Sequence, residues 1–124
     1  MPSHAAAAFV DATTARLVVH DRGLPRSLPL ADVLWIESFG NYARVQTRSA
    51  RFLHRATMAE LERELAPHGF WRIHRTLLVN AAHVRELRPT GASHGRVALL
   101  DTGQRLRVSR RFRNAPGPLP ARTG

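Results

Sequence analysis

Apolar residues in this chain come in short runs, broken repeatedly by glycine, proline and charge. Ala15 to His20 is rich in β-branched residues and predicts a strand, closed by the turn residues Asp21-Arg22-Gly23. Pro25 and Pro29 keep the next segment extended or at a sheet edge, because proline cannot donate to a ladder. Leu30 to Val33 predicts a short connection with room for one helical turn. Val33 to Ser38 is strongly apolar and predicts a central strand. Gly40-Asn41 predicts a tight reversal. From Tyr42 to Thr47 the pattern alternates. Ala43, Val45 and Thr47 share one face and Tyr42, Arg44 and Gln46 the other, as a half-buried strand requires. A turn near Ser49 leads to a third strand of the same meander over 51–56.

One stretch carries a helical period. Thr57 is a good N-cap, Glu60 completes a capping box, and Met58, Leu61 and Leu65 form an apolar stripe, so a helix is predicted over about 57–66. Pro67 and Gly69 stop it. Phe70 to Ile73 and Leu77 to Val79 are short apolar runs on either side of the polar His74-Arg75-Thr76. His83 to Leu87 predicts a strand, ended by Pro89 and Gly91. Residues 96–100 and 105–109 predict a hairpin across Asp101-Thr102-Gly103-Gln104, with Leu106 and Val108 inward and Arg105, Arg107 and Ser109 outward. Residues 1–14 have no period and read as a flexible leader. Pro116, Pro118 and Pro120 with Gly117 mark 114–124 as a disordered tail. The pattern therefore predicts one mainly β domain over 15–113, with seven or eight short strands and one helix.

Composition narrows the function. With no cysteine there is no disulfide scaffold, no thiol nucleophile and no cysteine-based metal site. The seven histidines lie at irregular spacings with no close metal-binding pair, so neither metal nor cofactor is expected. The chain has no His-Glu-x-x-His and no Gly-x-Ser-x-Gly. Acids are scarce in the second half, so no base, nucleophile and orienter assemble and no enzyme or small-molecule substrate is expected. His74-Arg75-Thr76 has no aspartate after its arginine, which excludes a kinase catalytic loop. No apolar run approaches the roughly 18 residues of a membrane span, and the short Ala5–Ala8 run makes no secretory signal, so a cytoplasmic location is expected.

Charge adds a direction. The chain has nineteen arginines and no lysine, a bias attributable to coding. Residues 1–70 hold eight arginines against seven acids, a net of +1. Residues 71–124 hold eleven arginines against Glu86 and Asp101 alone, a net of +9. So basic a half attracts a polyanion, and without a long basic amphipathic helix nucleic acid is favoured over a membrane surface. Arg105, Arg107, Arg110, Arg111 and Arg113 are five arginines in nine residues. Arginine forks onto a phosphate or onto guanine O6 and N7, although a charged strand edge would also carry such a run. His74-Arg75-Thr76 offers phosphate donors and one base reader, with His74 better read as a hydrogen-bonded loop-former. Asn41 could read adenine and Tyr42 could bond a phosphate if their turn faces a groove.

The ordered string Ile36-Glu37-Ser38, Gly40-Asn41-Tyr42, a capped helix with Leu61 and Leu65, Arg72-Ile73-His74-Arg75-Thr76, Leu78-Val79-Asn80 and Val108-Ser109-Arg110 resembles the LytTR-type DNA-binding domain of bacterial transcription regulators. The resemblance covers about residues 30–113, with a weaker fit over 15–29. It implies an elongated arrangement of small, mostly antiparallel sheets with one main α-helix. It also implies sequence-specific binding of duplex DNA for transcription control, through loops inserted in successive major grooves. Carried over residue by residue, base or groove contacts fall on Asn41, Tyr42, Arg75, Arg110 and Arg111. Arg44, Arg72, Arg105, Arg107 and Arg113 are weaker phosphate candidates, and His74, Thr76 and Asn80 shape the loops. The family's direct-repeat sites imply a second copy on an adjacent repeat. Thr76 replaces the usual serine but keeps the hydroxyl, and Pro116 cuts short the usual C-terminal helix. Relatives usually carry a receiver or membrane domain ahead of this module. Regulation here is thus expected from the chain acting alone, from a separate sensory or membrane partner, or from a longer regulator of which this is a part. Two other readings stay open at this point: an RNA-binding module, and a basic protein-interaction module with an acidic partner.

Overall fold

The computed structural model describes residues 9–11, 15–89 and 95–109. Its centre is a five-stranded antiparallel sheet built from β4 (Val33–Phe39), β5 (Tyr42–Thr47), β6 (Arg51–His54), β7 (Phe70–His74) and β8 (Leu77–Asn80), in the order β6-β5-β4-β8-β7. The central position of β4 follows from its sequence, since Val33, Leu34, Trp35 and Ile36 are all buried. In β5 the predicted alternation holds. Ala43, Val45 and Thr47 are buried and Tyr42 is exposed.

One face of this sheet is covered throughout, and the other is covered over β4, β8 and β7. On one face lie Leu17 and Val19 of β2 (Arg16–Asp21), together with Met58, Leu61 and Leu65 of helix α1 (Met58–Leu65). They meet Ile36, Val45, Phe52 and Leu78. The helix starts where the capping box put it. Thr57 Oγ1 accepts from the Glu60 amide at 3.0 Å and the Thr57 amide donates to Glu60 Oε1 at 2.9 Å. On the other face Trp35, Trp71, Ile73 and Val79 pack against Val84, Ala98, Leu100 and Val108. These last belong to a second sheet of β9 (Val84–Pro89), β10 (Arg96–Leu100) and β11 (Arg105–Val108), ordered β11-β10-β9.

The third sheet is β1 (Phe9–Asp11), β2 and β3 (Leu24–Pro29), in that order. Here the structure departs from the sequence reading. Phe9–Asp11, inside the stretch expected as a flexible leader, pairs antiparallel with β2 in the register Phe9↔Val18. β3 runs through both of its prolines, as an edge strand allows. With β7 and β8 also formed, the described residues hold eleven strands rather than seven or eight. The extra ones are short runs that become strands by pairing with a neighbour, β1 and β3 with β2 and β7 with β8, so period alone could not separate them from loops. The proline-rich tail from 114 lies outside the described residues, as does the leader apart from 9–11.

Candidate nucleic-acid interface

The β4–β5 hairpin turns through Gly40 and Asn41, between the paired residues Phe39 and Tyr42. Gly40 has φ +62° while Asn41 stays at negative φ, the glycine-first arrangement of a tight hairpin turn. Asn41 is exposed at the tip, and Phe39 and Tyr42 on either side expose large rings. The stem is locked by charge. The register sets Arg44 opposite Glu37, Arg44 Nη2 donates to Glu37 Oε2 at 2.6 Å, and Trp35 Nε1 donates to Oε1 at 3.0 Å. Burial by itself pushes the Glu37 carboxyl up. The hydrogen bonds from Arg44 and Trp35 and the nearby positive charge of Arg44 and Arg51 outweigh it and hold the group below its ordinary value. The Arg44 guanidinium also lies 4.1 Å from the Phe39 ring centre.

The turn between β7 and β8 carries Arg75 and Thr76. It is built by its neighbours. The Arg72 guanidinium bonds Glu62 Oε1 of the helix at 2.7 Å, the His74 carbonyl at 3.1 Å and the Arg75 carbonyl at 2.6 Å. The Thr76 amide points at His74 Nδ1, at 3.2 Å, and the Thr76 hydroxyl lies 2.9 Å from the same nitrogen. Because the amide can only donate, Nδ1 accepts and the neutral ring carries its proton on Nε2. The Arg75 side chain is exposed and makes no ion pair among the described residues.

Two backbone bonds bring separate segments together. The Ser38 amide donates to the Thr76 carbonyl at 2.9 Å, joining the hairpin to the His74–Thr76 turn. The Ser109 amide donates to the Ile73 carbonyl at 2.7 Å, bringing the end of β11 to the same end of the central sheet. Asn41, Tyr42, His74, Arg75 and Thr76 therefore share one end, and the chain after Ser109 starts from it. Arg110, Arg111 and Arg113 lie outside the described residues. Arg107 is exposed on β11, two residues before Ser109, whereas Arg105 is exposed further from that end.

Three candidates are placed differently from the sequence reading. Arg44 and Arg72, read as phosphate ligands, commit their guanidinium groups to Glu37 and Glu62 and are largely covered, with side chains 26% and 15% exposed. Both guanidinium groups are taken up by acidic partners that the sequence pattern alone did not pair with them. Asn80 does shape loops, but at the opposite end of β8, where it holds the connection over 30–33 and the Ala81–His83 turn rather than the turns at the hairpin end. Its Nδ2 donates to the carbonyls of Leu30 at 3.1 Å and Val33 at 2.9 Å, and its Oδ1 accepts from Ala82. Arg55 was missed. It stands exposed at the hairpin end of the sheet, 5.9 Å from the Tyr42 ring centre. The signal was available, because a meander that pairs Ala43 with His54 sets the next residue, Arg55, opposite Tyr42.

A family model, the LytTr DNA-binding domain, matches residues 26–115. The chain belongs to this family. LytTR domains are DNA-binding modules of transcription regulators, and the three small antiparallel sheets with one helix agree with that fold. Over 73 residues the chain is 40% identical to the CO-responsive transcriptional regulator RcoM of Rhodospirillum rubrum. The match covers 59% of this chain and 30% of that protein, so the LytTR chain spans less than a third of the curated relative's length. Among solved structures it is similar to the LytTr DNA-binding domain of a methyl-accepting/DNA response regulator from Bacillus cereus. The TM-score is 0.69 at 23% identity, covering 78% of this chain and 88% of that one. Among the described residues no helix is long and apolar enough to cross a membrane, and no histidine and acid cluster is placed to hold a metal ion.

Proposed function

We propose that this LytTR domain reads specific sequences in duplex DNA with the end of the central sheet that carries the β4–β5 hairpin and the β7–β8 turn. The observation that carries the reading is the pair of bonds from Ser38 to Thr76 and from Ser109 to Ile73, which gather three distant segments at one end. Asn41 and Arg75 are the base readers: an amide that can pair with adenine and a fork that can pair with guanine. Tyr42 and Arg107 serve as backbone contacts, and Arg110 and Arg111, which directly follow Ser109 in the chain, are further DNA contacts. His74, Thr76 and Arg72 hold Arg75 in place, and Arg44 stiffens the hairpin. Two copies occupy direct repeats about one helical turn apart, and the regulatory signal arrives through a further domain or a separate sensory partner.

Selection from random duplex DNA with the purified chain tests this reading. A half-site repeated about one turn apart is expected. Absence of any enriched sequence, or preferential capture of single-stranded RNA in competition at the same salt, contradicts it.

A further inference from the structure

Beside the hairpin, the β2–β3 turn and the outer surface of β5 and β6 enclose an open cleft of about 620 Å³. Its lining is strongly basic. Arg22, Arg51 and Arg55 converge on it with His20, against the single acid Asp21. Tyr42 closes the end nearest the hairpin and Leu53 forms the floor, both well exposed for residues of their size. Tyr42 thus belongs both to this cleft and to the sheet end that carries Asn41.

Arg22 adds an independent observation. It sits at φ +56°, followed by Gly23 at φ +82°, in the two-residue loop between the paired Asp21 and Leu24. A hairpin turn with two left-handed residues prefers asparagine, aspartate or glycine at the first of them. Arginine there is locally unfavourable, and such outliers concentrate at functional positions. Its side chain lines the cleft, and no ion pair or hydrogen bond among the described residues accounts for the choice.

We infer that this cleft is a second DNA contact, binding backbone phosphates that flank the bases read by the loops. The inference rests on the proposed function and extends it to a part of the surface that the arginine-rich second half does not supply. Arg55, just past the end of β6, stands opposite Tyr42, and Arg51 begins that strand four residues earlier, about 13 Å away at the usual strand rise. That is about four phosphate steps measured along the axis of a duplex. On this inference a duplex seated on the hairpin extends along this line of guanidinium groups. Contacts of this kind add affinity and salt dependence without adding sequence preference.

The test compares wild type, Arg51→Gln/Arg55→Gln and Arg22→Asn on a selected duplex, with log Kd measured against log salt. The double variant is expected to lower the salt slope by about 2 and Arg22→Asn by about 1, each weakening cognate and shuffled duplexes by the same factor. Arg22→Asn should do so while raising the melting temperature, since asparagine suits the turn. Trimming the duplex flank on that side should erase the difference between wild type and the variants. Unchanged slopes and affinities in variants that melt at or above the wild-type temperature overturn the inference. So does capture of adenosine monophosphate in an Arg51- and Arg55-dependent way while the DNA slope stays unchanged, which would make the cleft a nucleotide site. If wild type itself prefers no duplex, the proposed function fails, whereas a sequence-specific wild type with indifferent variants fails only this inference.

Discussion

Arg72 and Arg75 stand three residues apart and do different work. Arg72 is consumed by Glu62 and two turn carbonyls, so its removal leaves partly buried acceptors unpaired. Arg72→Ala is expected to cost about 1–3 kcal/mol of stability in denaturant unfolding. Arg75→Ala should leave stability within about 0.5 kcal/mol of wild type, yet cost about 1–3 kcal/mol of DNA binding and relax base preference at one position. Equal loss across all sequences would make Arg75 a phosphate contact instead. Glu37 adds a pH dependence. Its carboxyl is held below its ordinary value in the fold, so its contribution is complete above the ordinary glutamate value of about 4.3 and is lost as pH falls through the lowered one. Wild type should exceed Glu37→Gln in melting temperature by a constant margin from pH 7 to about 5, and the margin should shrink below about pH 4. Of these residues, Arg75 was readable as a surface reader from its polar setting. The Glu37–Arg44 pair was derivable too, since a two-residue turn at Gly40-Asn41 fixes that register. The Arg72–Glu62 pair was not, because it joins a helix to a strand across a packing that no local pattern encodes.

Elements with strong local signals were legible, and those stabilised from a distance were not. The α1 boundaries follow from Thr57, Glu60 and the Met58, Leu61, Leu65 stripe. The β1, β7 and β8 segments are too short to announce themselves, and pairing makes them strands, β1 on β2, β8 on β4 and β7 on β8. The junction at the far end of the sheet depends on tertiary polar contacts of this kind. Asn80 satisfies the Leu30 and Val33 carbonyls, and His83 bridges Asp101 at 2.9 Å and the Ala31 carbonyl at 2.7 Å. Asn80→Ala is expected to destabilise by about 2–3 kcal/mol in unfolding experiments, because it strands two carbonyls at a buried junction. Its effect on DNA affinity measured well below the melting temperature should be small, since the junction lies at the opposite end from the hairpin. A loss of base preference in that variant would place the far end in the recognition surface.

At the scale of the molecule, the β4, β8 and β7 part of the central sheet is packed on both faces, which leaves the sheet ends and the outer face of β5 and β6 free to meet a partner. The hydrophobic pattern foretold a mainly β domain, and the charge asymmetry pointed to nucleic acid. Neither could say that residues 39–42, 74–76 and 109 meet, because that depends on which strands neighbour β4 and β7. Charge counting also drew attention to the second half, while Arg22, Arg51 and Arg55 lie in the near-neutral first half and converge only through the fold. The central claim is a location, and a titration that reports location tests it directly. Amide chemical shifts of the full chain, followed while a selected duplex is added, should move most at 39–42, 55, 74–76 and 109. Those of 80–83 and 101–104 should scarcely change. Shifts concentrated at the Asn80–His83 end or along α1, with the hairpin and the Arg75 turn unmoved, would contradict the account.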